Sequence, residues 1–289
     1  MNTNRNKKKI FTLLICIVLI FGIPTHAFAE ETILVENDRP CSVTISERDI
    51  IKTLQAKTDD DLRLMGYSSE EISTLRGITD EAVVSKIRTQ SDEQLRKRGL
   101  TKTQIEIIRN ETNIQKAAEE SFGKVTYTID SVSYKYVSPN TILTVLAEWN
   151  WESEPLFLFT DIIACTTSES GFTMTAATGT ANYRIAKGGS VKEYAALPVK
   201  TESSGTGTYA KIDLSKTYTG AARPTKMIAF DGSITTTFKA SKRIASVGIS
   251  SKYGHSTITL NPSVSFGNEG ATISFSPSEK VETGTEAYK

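Results

Sequence analysis

Histidine and cysteine, on which much of protein chemistry depends, are scarce in this sequence. Its 289 residues include two histidines and three cysteines, and His26 lies in a segment that we expect to be removed. A structural zinc site takes about four such ligands and a catalytic one about three. The Gly-x-Ser-x-Gly motif of serine hydrolases is also missing. We therefore predict no catalytic, cofactor-binding or metal-binding residues, and an enzyme of an unrecognised kind stays open as one alternative.

The second histidine, His255, lies in the segment Lys252-Tyr253-Gly254-His255-Ser256. Glycine and serine in such a short polar stretch are typical of a loop. We predict a loop at residues 252–256, with His255 at the surface.

The chain has no excess of charge of one sign. Its 34 lysine and arginine residues are balanced by 33 acidic ones, and without residues 1–29 the count becomes 30 basic against 33 acidic. Proteins that bind nucleic acid usually carry a basic face or stripe. We therefore predict no nucleic-acid partner.

One long apolar run is present, and it stands near the amino terminus. Residues 10–23 are almost unbroken in their apolar character, four basic residues precede them, and Ala27-Phe28-Ala29 follows. This is the pattern of a secretory signal peptide, and the run is shorter than the ~20 residues of a membrane-spanning helix. We predict a signal peptide at 1–29, cleavage after Ala29 and secretion from a bacterium; an uncleaved anchor is the alternative.

Two cysteines, Cys41 and Cys165, remain after cleavage. In an oxidising compartment a pair can form a disulfide, and the alternative is two separate buried thiols. The sequence leaves both open.

The character of the chain changes near residue 121. Residues 46–120 are rich in Glu, Gln, Lys, Leu and Ile with apolar residues at helical spacing, whereas Thr, Ser, Tyr, Val and Gly dominate from 121 onward with a period of two. We predict an α+β protein: a lead-in segment at 30–45, a helical domain at 46–120 and an antiparallel β-sandwich domain at 121–289.

The helical part contains a duplicated unit of 33 residues, at 46–78 and 79–111. In each copy, Ser or Thr at three positions predicts the caps of three short helices. Gly66 and Gly99 are predicted to end the second helix of each unit in the left-handed conformation. Leu62, Ile72 and Leu75, with Leu95, Ile105 and Ile108, are predicted to face a small shared core. Residues 112–120 are predicted to prolong the last helix as a connector.

The phrase Met65-Gly66-Tyr67 resembles the helix-loop-helix of ubiquitin-associated domains, whose Met-Gly-Phe/Tyr loop helps to bind ubiquitin. The resemblance covers about 20 residues, and the second copy reads Arg98-Gly99-Leu100 instead. We interpret it as convergence on compact helical packing. The arginines of the repeat are interpreted as solvated i,i+4 partners of acids, Asp59 with Arg63 and Asp92 with Arg96.

Alternation of apolar and polar residues predicts the strands of the second part. They are predicted at 125–137, 142–151, 156–164, 172–177, 181–185, 208–214, 226–230, 233–240, 244–249, 257–260, 263–266 and 271–275. Short strands separated by Gly, Pro, Asn and Ser favour an antiparallel sandwich.

Two tryptophans flanked by acids give the one candidate ligand site. Trp149 and Trp151 share a strand face with Leu143 and Val145, which favours a core position, but their neighbours Glu148 and Glu152 also allow a binding surface. The two carboxylates would lie about 13 Å apart along a strand, beyond the roughly 5–9.5 Å of glycosidase carboxylates. We therefore name these four residues as candidate ligand-binding residues, with the glutamates as solvated rim charges.

Three classes of function follow. The favoured class is a secreted, non-catalytic binding or adhesion protein whose partner is a cell-wall polymer, another carbohydrate or an extracellular protein. The first alternative is a pore-forming or membrane-active β protein, because residues 125–137 and 141–151 approach the ~9–11 alternating residues of a membrane barrel strand. The second alternative is the unrecognised extracellular enzyme.

Overall fold

The structure is a computed structural model, and it describes residues 41–167, 171–201, 207–245, 247–257, 262–267, 270–275 and 279–280. The predicted signal peptide and most of the lead-in segment lie outside these residues. Within them the protein combines helices with antiparallel sheets, which confirms the α+β class. None of the described helices is long and apolar enough to cross a membrane.

The amino-terminal part of the described chain is one strand followed by seven helices. They are β1 (Cys41–Ser46), α1 (Glu47–Gln55), α2 (Asp59–Leu64), α3 (Ser69–Gly77), α4 (Asp80–Arg88), α5 (Asp92–Lys97), α6 (Lys102–Asn110) and α7 (Ile114–Ser121).

The remainder consists of strands. They are β2 (Lys124–Val137), β3 (Asn140–Trp151), β4 (Thr160–Thr167), β5 (Phe172–Arg184), β6 (Glu193–Leu197), β7 (Val199–Thr201), β8 (Gly207–Asp213), β9 (Ser215–Tyr218), β10 (Thr225–Ala240), β11 (Ile249–Gly254), β12 (Pro262–Gly267), β13 (Gly270–Phe275) and β14 (Glu279–Lys280).

Helices α1–α3 (hereafter the first unit) and α4–α6 (the second unit) begin and end at positions 33 residues apart. Local signals set these bounds, because each helix has a Ser or Thr N-cap whose side-chain oxygen accepts a backbone N–H. Gly66 and Gly99 follow α2 and α5 with φ of 92° and 100°, a conformation that costs other residues a Cβ clash. Their predicted left-handed conformation is confirmed.

The predicted arginine pairs are wrong. Arg76 and Arg109 bind Asp59 and Asp92 across 17 residues, at 2.7 and 3.0 Å, and Arg63 pairs with Asp60 instead. The guanidinium of Arg76 also donates to the carbonyl oxygens of Gln55 and Lys57, and Arg109 does the same to Arg88 and Gln90. Each arginine therefore ties the third helix of its unit to the end of the first helix and the start of the second, because its long side chain satisfies carbonyls that a helix leaves free.

The last helix is separate from α6 and does not prolong it. Glu111 has an extended backbone, and the side chain of Asn113 accepts the backbone N–H groups of Gln115 and Lys116 at 3.0 and 3.3 Å. The new N-cap starts α7, after which the chain enters β2.

Three antiparallel sheets make up the β part. One has seven strands, in the order β1-β2-β3-β10-β5-β6 with β9 paired to β10; a second has the order β11-β4-β8-β7, and a third β12-β13-β14. Strand β1 includes residues predicted as a lead-in, and it pairs with β2 from Cys41 opposite Ile129 to Ser46 opposite Lys124. All of α1–α7 therefore connects two hydrogen-bonded neighbours of the same sheet.

Several strand bounds differ from the prediction for identifiable reasons. Strand β4 begins at Thr160, because the amides of Leu156 and Phe157 donate to the carboxylate of Glu47 and not to a strand. Strand β10 runs through Gly232, which was predicted as a break; a Cβ there would overlap the indole of Trp149. Likewise β5 continues through Gly179. Strand β11 occupies 249–254, where a loop was predicted in part.

The buried side chains form a large cluster between the sheets and the first unit. It includes Ile51 and Leu54 of α1, Trp149 and Trp151 of β3 and Tyr253 of β11. The predicted core residues of both units are buried, but they belong to two clusters: those of the first unit join the large one, whereas Ile87, Leu95, Leu100, Ile105 and Ile108 form their own. The predicted core residues thus lie in two neighbouring clusters, and Val83 of the second unit packs against both.

Candidate functional site

The two tryptophans of the candidate site lie inside the protein. Trp149 and Trp151 are 1% and 0% exposed. Trp151 packs edge-on against His255 with ring centres 4.8 Å apart, and its Nε1 donates to the hydroxyl of Tyr253 at 3.2 Å. Both indoles fill the inner face of β3, as the alternation favoured. Glu148 and Glu152 are exposed, as predicted for rim charges.

The opposite face of the seven-stranded sheet presents aligned polar side chains. Cross-strand pairing forms a first row with Thr44, Thr126, Asn150, Asp231, Asn182 and Tyr194, and a second row with Ser42, Thr128, Glu148, Ser233 and Thr180. We call these two rows the outer polar face. Six strands at ~4.8 Å spacing make the first row about 24 Å long.

Part of the outer polar face is a shallow groove of about 400 Å³. Glu148, Asn150, Asp231 and Ser233 contribute to its lining, whereas Glu152 does not. The structure thus places the two predicted glutamates in different surroundings.

Hydrogen bonds between neighbouring strands fix many of the hydroxyl groups. Oxygen atoms of Ser42 and Thr128 are 3.0 Å apart, those of Thr44 and Thr126 3.1 Å, and those of Thr180 and Ser233 3.2 Å. The donors and acceptors of the face are therefore held in regular positions before any ligand arrives.

Two carboxylates of the groove differ in their partners. Asp231 binds the guanidinium of Arg184 and accepts from Asn182 Nδ2 at 2.5 Å. Glu148 has no hydrogen bond or ion pair to any residue that the structure describes. Partial burial, with the charges of Asp130 and Asp231, raises the pKa of the Glu148 carboxyl. Glu148 is thus the carboxylate that a ligand could engage.

A second polar cluster, which sequence reasoning missed, lies between α1 and the sheets. The carboxylate of Glu47 accepts N–H groups of Gly123, Leu156 and Phe157 at 2.7–3.0 Å. His255 lies 3.2 Å from Glu47 through Nε2 and 2.8 Å from Asp161 through Nδ1. The prediction of a surface histidine is wrong; we call this cluster the Glu47 latch.

Burial and charge act in opposite directions on His255. Burial alone would lower the pKa of its imidazole, but the two carboxylates outweigh that effect and raise the pKa to about 10. The side chains of Glu47, Asp161 and His255 are 0% exposed, so no substrate reaches them. The arrangement joins α1 to the sheets. Its members are up to 208 residues apart, and Glu47 in sequence is an ordinary acid in a first helical turn.

Cys165 is buried and has no disulfide partner among the side chains that the structure describes, and burial raises the pKa of its thiol to about 12. The side chain of Cys41 lies outside the described residues, so the disulfide stays a prediction. Across the described ranges no group of three or more His, Cys, Asp or Glu side chains is arranged to hold a metal ion.

No protein-family model matches the chain, and no curated protein matches it. Among solved structures it is similar to the crystal structure of the KRT10-binding region domain of the pneumococcal serine rich repeat protein PsrP, with 12% identity over 45% of this chain and 78% of that chain. The TM-score is 0.19, which is too low to carry an argument about fold or function.

Proposed function

We propose that the protein is a secreted, non-catalytic binding or adhesion protein whose ligand surface is the outer polar face. The observation that carries the proposal is the alignment of exposed and half-buried polar side chains across neighbouring strands, around Glu148, which has no hydrogen bond or ion pair to the described part of the chain. In this proposal the two larger sheets form a β-sandwich that holds the face flat and rigid.

The chemistry of the face suits a hydroxyl-rich polymer such as a cell-wall polysaccharide. Hydroxyl, amide and carboxylate groups recur at strand spacing, and each can donate to or accept from a sugar hydroxyl. Tyr194, 76% exposed at the end of the first row, offers a ring on which a sugar can pack. Regular placement of such groups favours a repeating ligand over a compact one.

Substitution of the two glutamates tests the ligand surface with a built-in control. Glu148→Gln should weaken binding to isolated wall polysaccharide about tenfold, because it removes a charge-assisted hydrogen bond. Glu152→Gln makes the same chemical change four residues away and outside the groove, so its affinity should equal that of the wild type. Sedimentation with wall material and a glycan array provide the measurements, and thermal melting checks that both variants fold.

Two results would contradict this assignment. Equal losses in Glu148→Gln and Glu152→Gln would remove the groove from the interaction. A wild-type protein that binds no wall polymer or glycan, but is retained by an extracellular protein, would replace the polymer with a protein partner.

Secretion is a separate part of the proposal. It is supported by the basic start, apolar run and small residues of the amino-terminal 29 positions. Amino-terminal sequencing of protein from the culture medium should find Glu30 first, and a chain that still begins at Met1 would contradict cleavage.

A further inference from the structure

A second cavity, of about 380 Å³, lies between the second unit and the segment that leads into β4. Ile87, Pro155, Leu156 and Leu158 give it apolar walls. Its lining is more apolar than the groove of the outer polar face, and the two share no lining residue. We call it the basic cleft, because lysine and arginine side chains line it.

Cations outnumber acids around the basic cleft. Lys86, Lys97, Arg98 and Lys226 line it, against the acid Glu154. Glu154 is already paired with Lys226 at 2.7 Å. Lys97 pairs with Glu93, but both partners are largely exposed, so this pair contributes little. Among the described residues, the cations of the cleft therefore outnumber the carboxylates that pair with them.

Arg98 is the most constrained of these cations. One of its terminal nitrogens donates to the backbone oxygen of Glu154 at 3.1 Å, and the other lies 3.5 Å from Gln90 Oε1. Its Nε is buried and has no hydrogen-bond partner among the described residues. Burial lowers the pKa of Arg98, with Glu154 and Glu47 opposing that effect. Arg98 is half-buried, so its guanidinium loses part of its hydration without an ion pair to any described residue, and an anion in the cleft would offset that loss.

The first unit shows that the fold does not require this charge. Thr53, Leu64 and Met65 stand at the positions of Lys86, Lys97 and Arg98, 33 residues earlier. At one further position Asp61 is replaced by Gln94, which removes an acid from the cleft. The same helices therefore form without the three cations, so their presence in the second unit calls for another explanation.

We propose that the basic cleft binds a small amphiphilic anion, in which a phosphate or carboxylate group is joined to an apolar chain. The anionic group would contact Arg98, Lys86 and Lys97, and the apolar chain would pack on Leu156 and Leu158. Guanidinium and ammonium groups bind such oxyanions through charge-assisted hydrogen bonds. This site is independent of the outer polar face and of the function proposed for it.

Calorimetry with octyl phosphate, below its micelle-forming concentration, tests the site. We expect saturable binding of one octyl phosphate per chain and binding at least about tenfold weaker for inorganic phosphate, which lacks the apolar part. Octyl glucoside, with the same chain and no charge, should bind at least about tenfold more weakly as well. Equal affinity for octyl phosphate and octyl glucoside would overturn the proposal.

Variants that copy the first unit provide the matched controls. Arg98→Met should weaken octyl phosphate binding at least about tenfold and Lys97→Leu several-fold, whereas Arg96→Met, on an exposed arginine outside the cleft, should change it less than about twofold. Because Arg98 also packs, the double variant Lys86→Thr with Lys97→Leu repeats the test at the rim. Unchanged affinity in both Arg98→Met and the double variant would overturn the proposal.

Vesicle flotation distinguishes a lipid from a free anion. If vesicles of phosphatidylglycerol carry the wild type but not Arg98→Met, the natural anion is a lipid headgroup. If octyl phosphate binds but those vesicles do not, the site takes a free amphiphilic anion. Both results support the cleft, and flotation that is the same for wild type, Arg98→Met and the double variant would oppose a headgroup role.

Discussion

The two helical units have the same helix bounds but are attached to the protein in different ways. Each begins with an acid at the same position, Glu47 in the first unit and Asp80 in the second. The buried carboxylate of Glu47 accepts backbone N–H groups from the β part of the chain, and it lies 3.2 Å from Nε2 of His255. Asp80 instead binds Arg48 at 2.8 Å and Lys52 at 3.3 Å, both on α1.

This difference shows that the place of a unit in the chain decides the role of its first acid. The core residues of the first unit join the large cluster with those of the sheets. Most buried residues of the second unit form a cluster of their own, although Val84 joins the large one and Arg98 donates to the backbone of Glu154. The helices of both units start and end at matching positions, because N-caps and helix-ending glycines act on neighbouring residues alone. Their partners differ, and so should their contributions to stability.

The largest expected difference between the two units is the loss of stability when the first acid of each is replaced. Glu47→Gln leaves backbone N–H groups facing an amide NH₂ and His255 without one carboxylate, so we expect a loss of about 3–5 kcal/mol in the free energy of unfolding. Asp80→Asn, on a pair that is less deeply buried, should cost about 1–3 kcal/mol. Urea unfolding of both variants measures the contrast.

One result would contradict this expectation. If Asp80→Asn destabilises the protein as much as Glu47→Gln, the second unit is as firmly tied to the whole as the first. A control is Asp60→Asn, at an exposed helix start, which should leave the unfolding curve nearly unchanged.

The two attachments should also fail at opposite ends of the pH range. The folded pKa of His255 is raised from 6.5 to about 10, so its contribution is complete below pH 6.5 and is lost as the pH rises toward about 10. The hydrogen bond from Arg48 lowers the pKa of Asp80 below its ordinary 3.8, so that contribution is present above pH 3.8 and is lost on acidification.

Differences between wild type and variants isolate these two titrations. The stability gap between wild type and His255→Gln should shrink from pH 6.5 to pH 10, and that between wild type and Asp80→Asn should shrink below pH 3.8. Gaps that stay constant across both windows would show that neither group titrates as the geometry requires.

A smaller contrast is expected at the paired glycines. Gly66→Val should cost about 1–2 kcal/mol, because a Cβ is strained at positive φ. Gly99→Val should cost more, since a Cβ there would also lie 2.7 Å from Lys187 Cγ and 3.0 Å from the Glu152 carbonyl oxygen. Gly77→Ala, with open space around it, is the control in thermal melting. Equal losses at both glycines would mean that Lys187 moves aside freely.

Features that depend on neighbouring residues could be predicted from the sequence. Caps such as Ser68 with Glu71, and the glycines after α2 and α5, act over three or four residues, so their effects could be predicted from neighbours alone. The strand that carries Trp149 and Trp151 was likewise predicted from its alternation.

What escaped prediction depends on distant partners. The Glu47 latch joins positions up to 208 residues apart, and no local pattern distinguishes Glu47 from Asp80. Gly232 was predicted as a break between two strands, whereas the structure requires glycine there because the indole of Trp149 fills the space that a Cβ would take. The groove around Glu148 also needed the register of four strands, which alternation does not fix.

The smallest contrast is an expected equality at the braces Arg76 and Arg109. Each donates to two backbone carbonyls and to an aspartate within its own unit. Methionine keeps much of the apolar stem but cannot donate, so Arg76→Met and Arg109→Met should each cost about 1–2 kcal/mol. Because neither brace contacts the other unit, the two losses should agree within about 0.5 kcal/mol and add in the double variant.

Urea unfolding with Arg63→Met and Arg96→Met as controls measures these losses. Both control arginines are exposed, and their replacement should change stability little. A loss at Arg109 well above that at Arg76 would show that the second unit, with its separate core, depends more on its own brace. The units would then differ in their internal cohesion as well as in their attachment, which the present geometry does not predict.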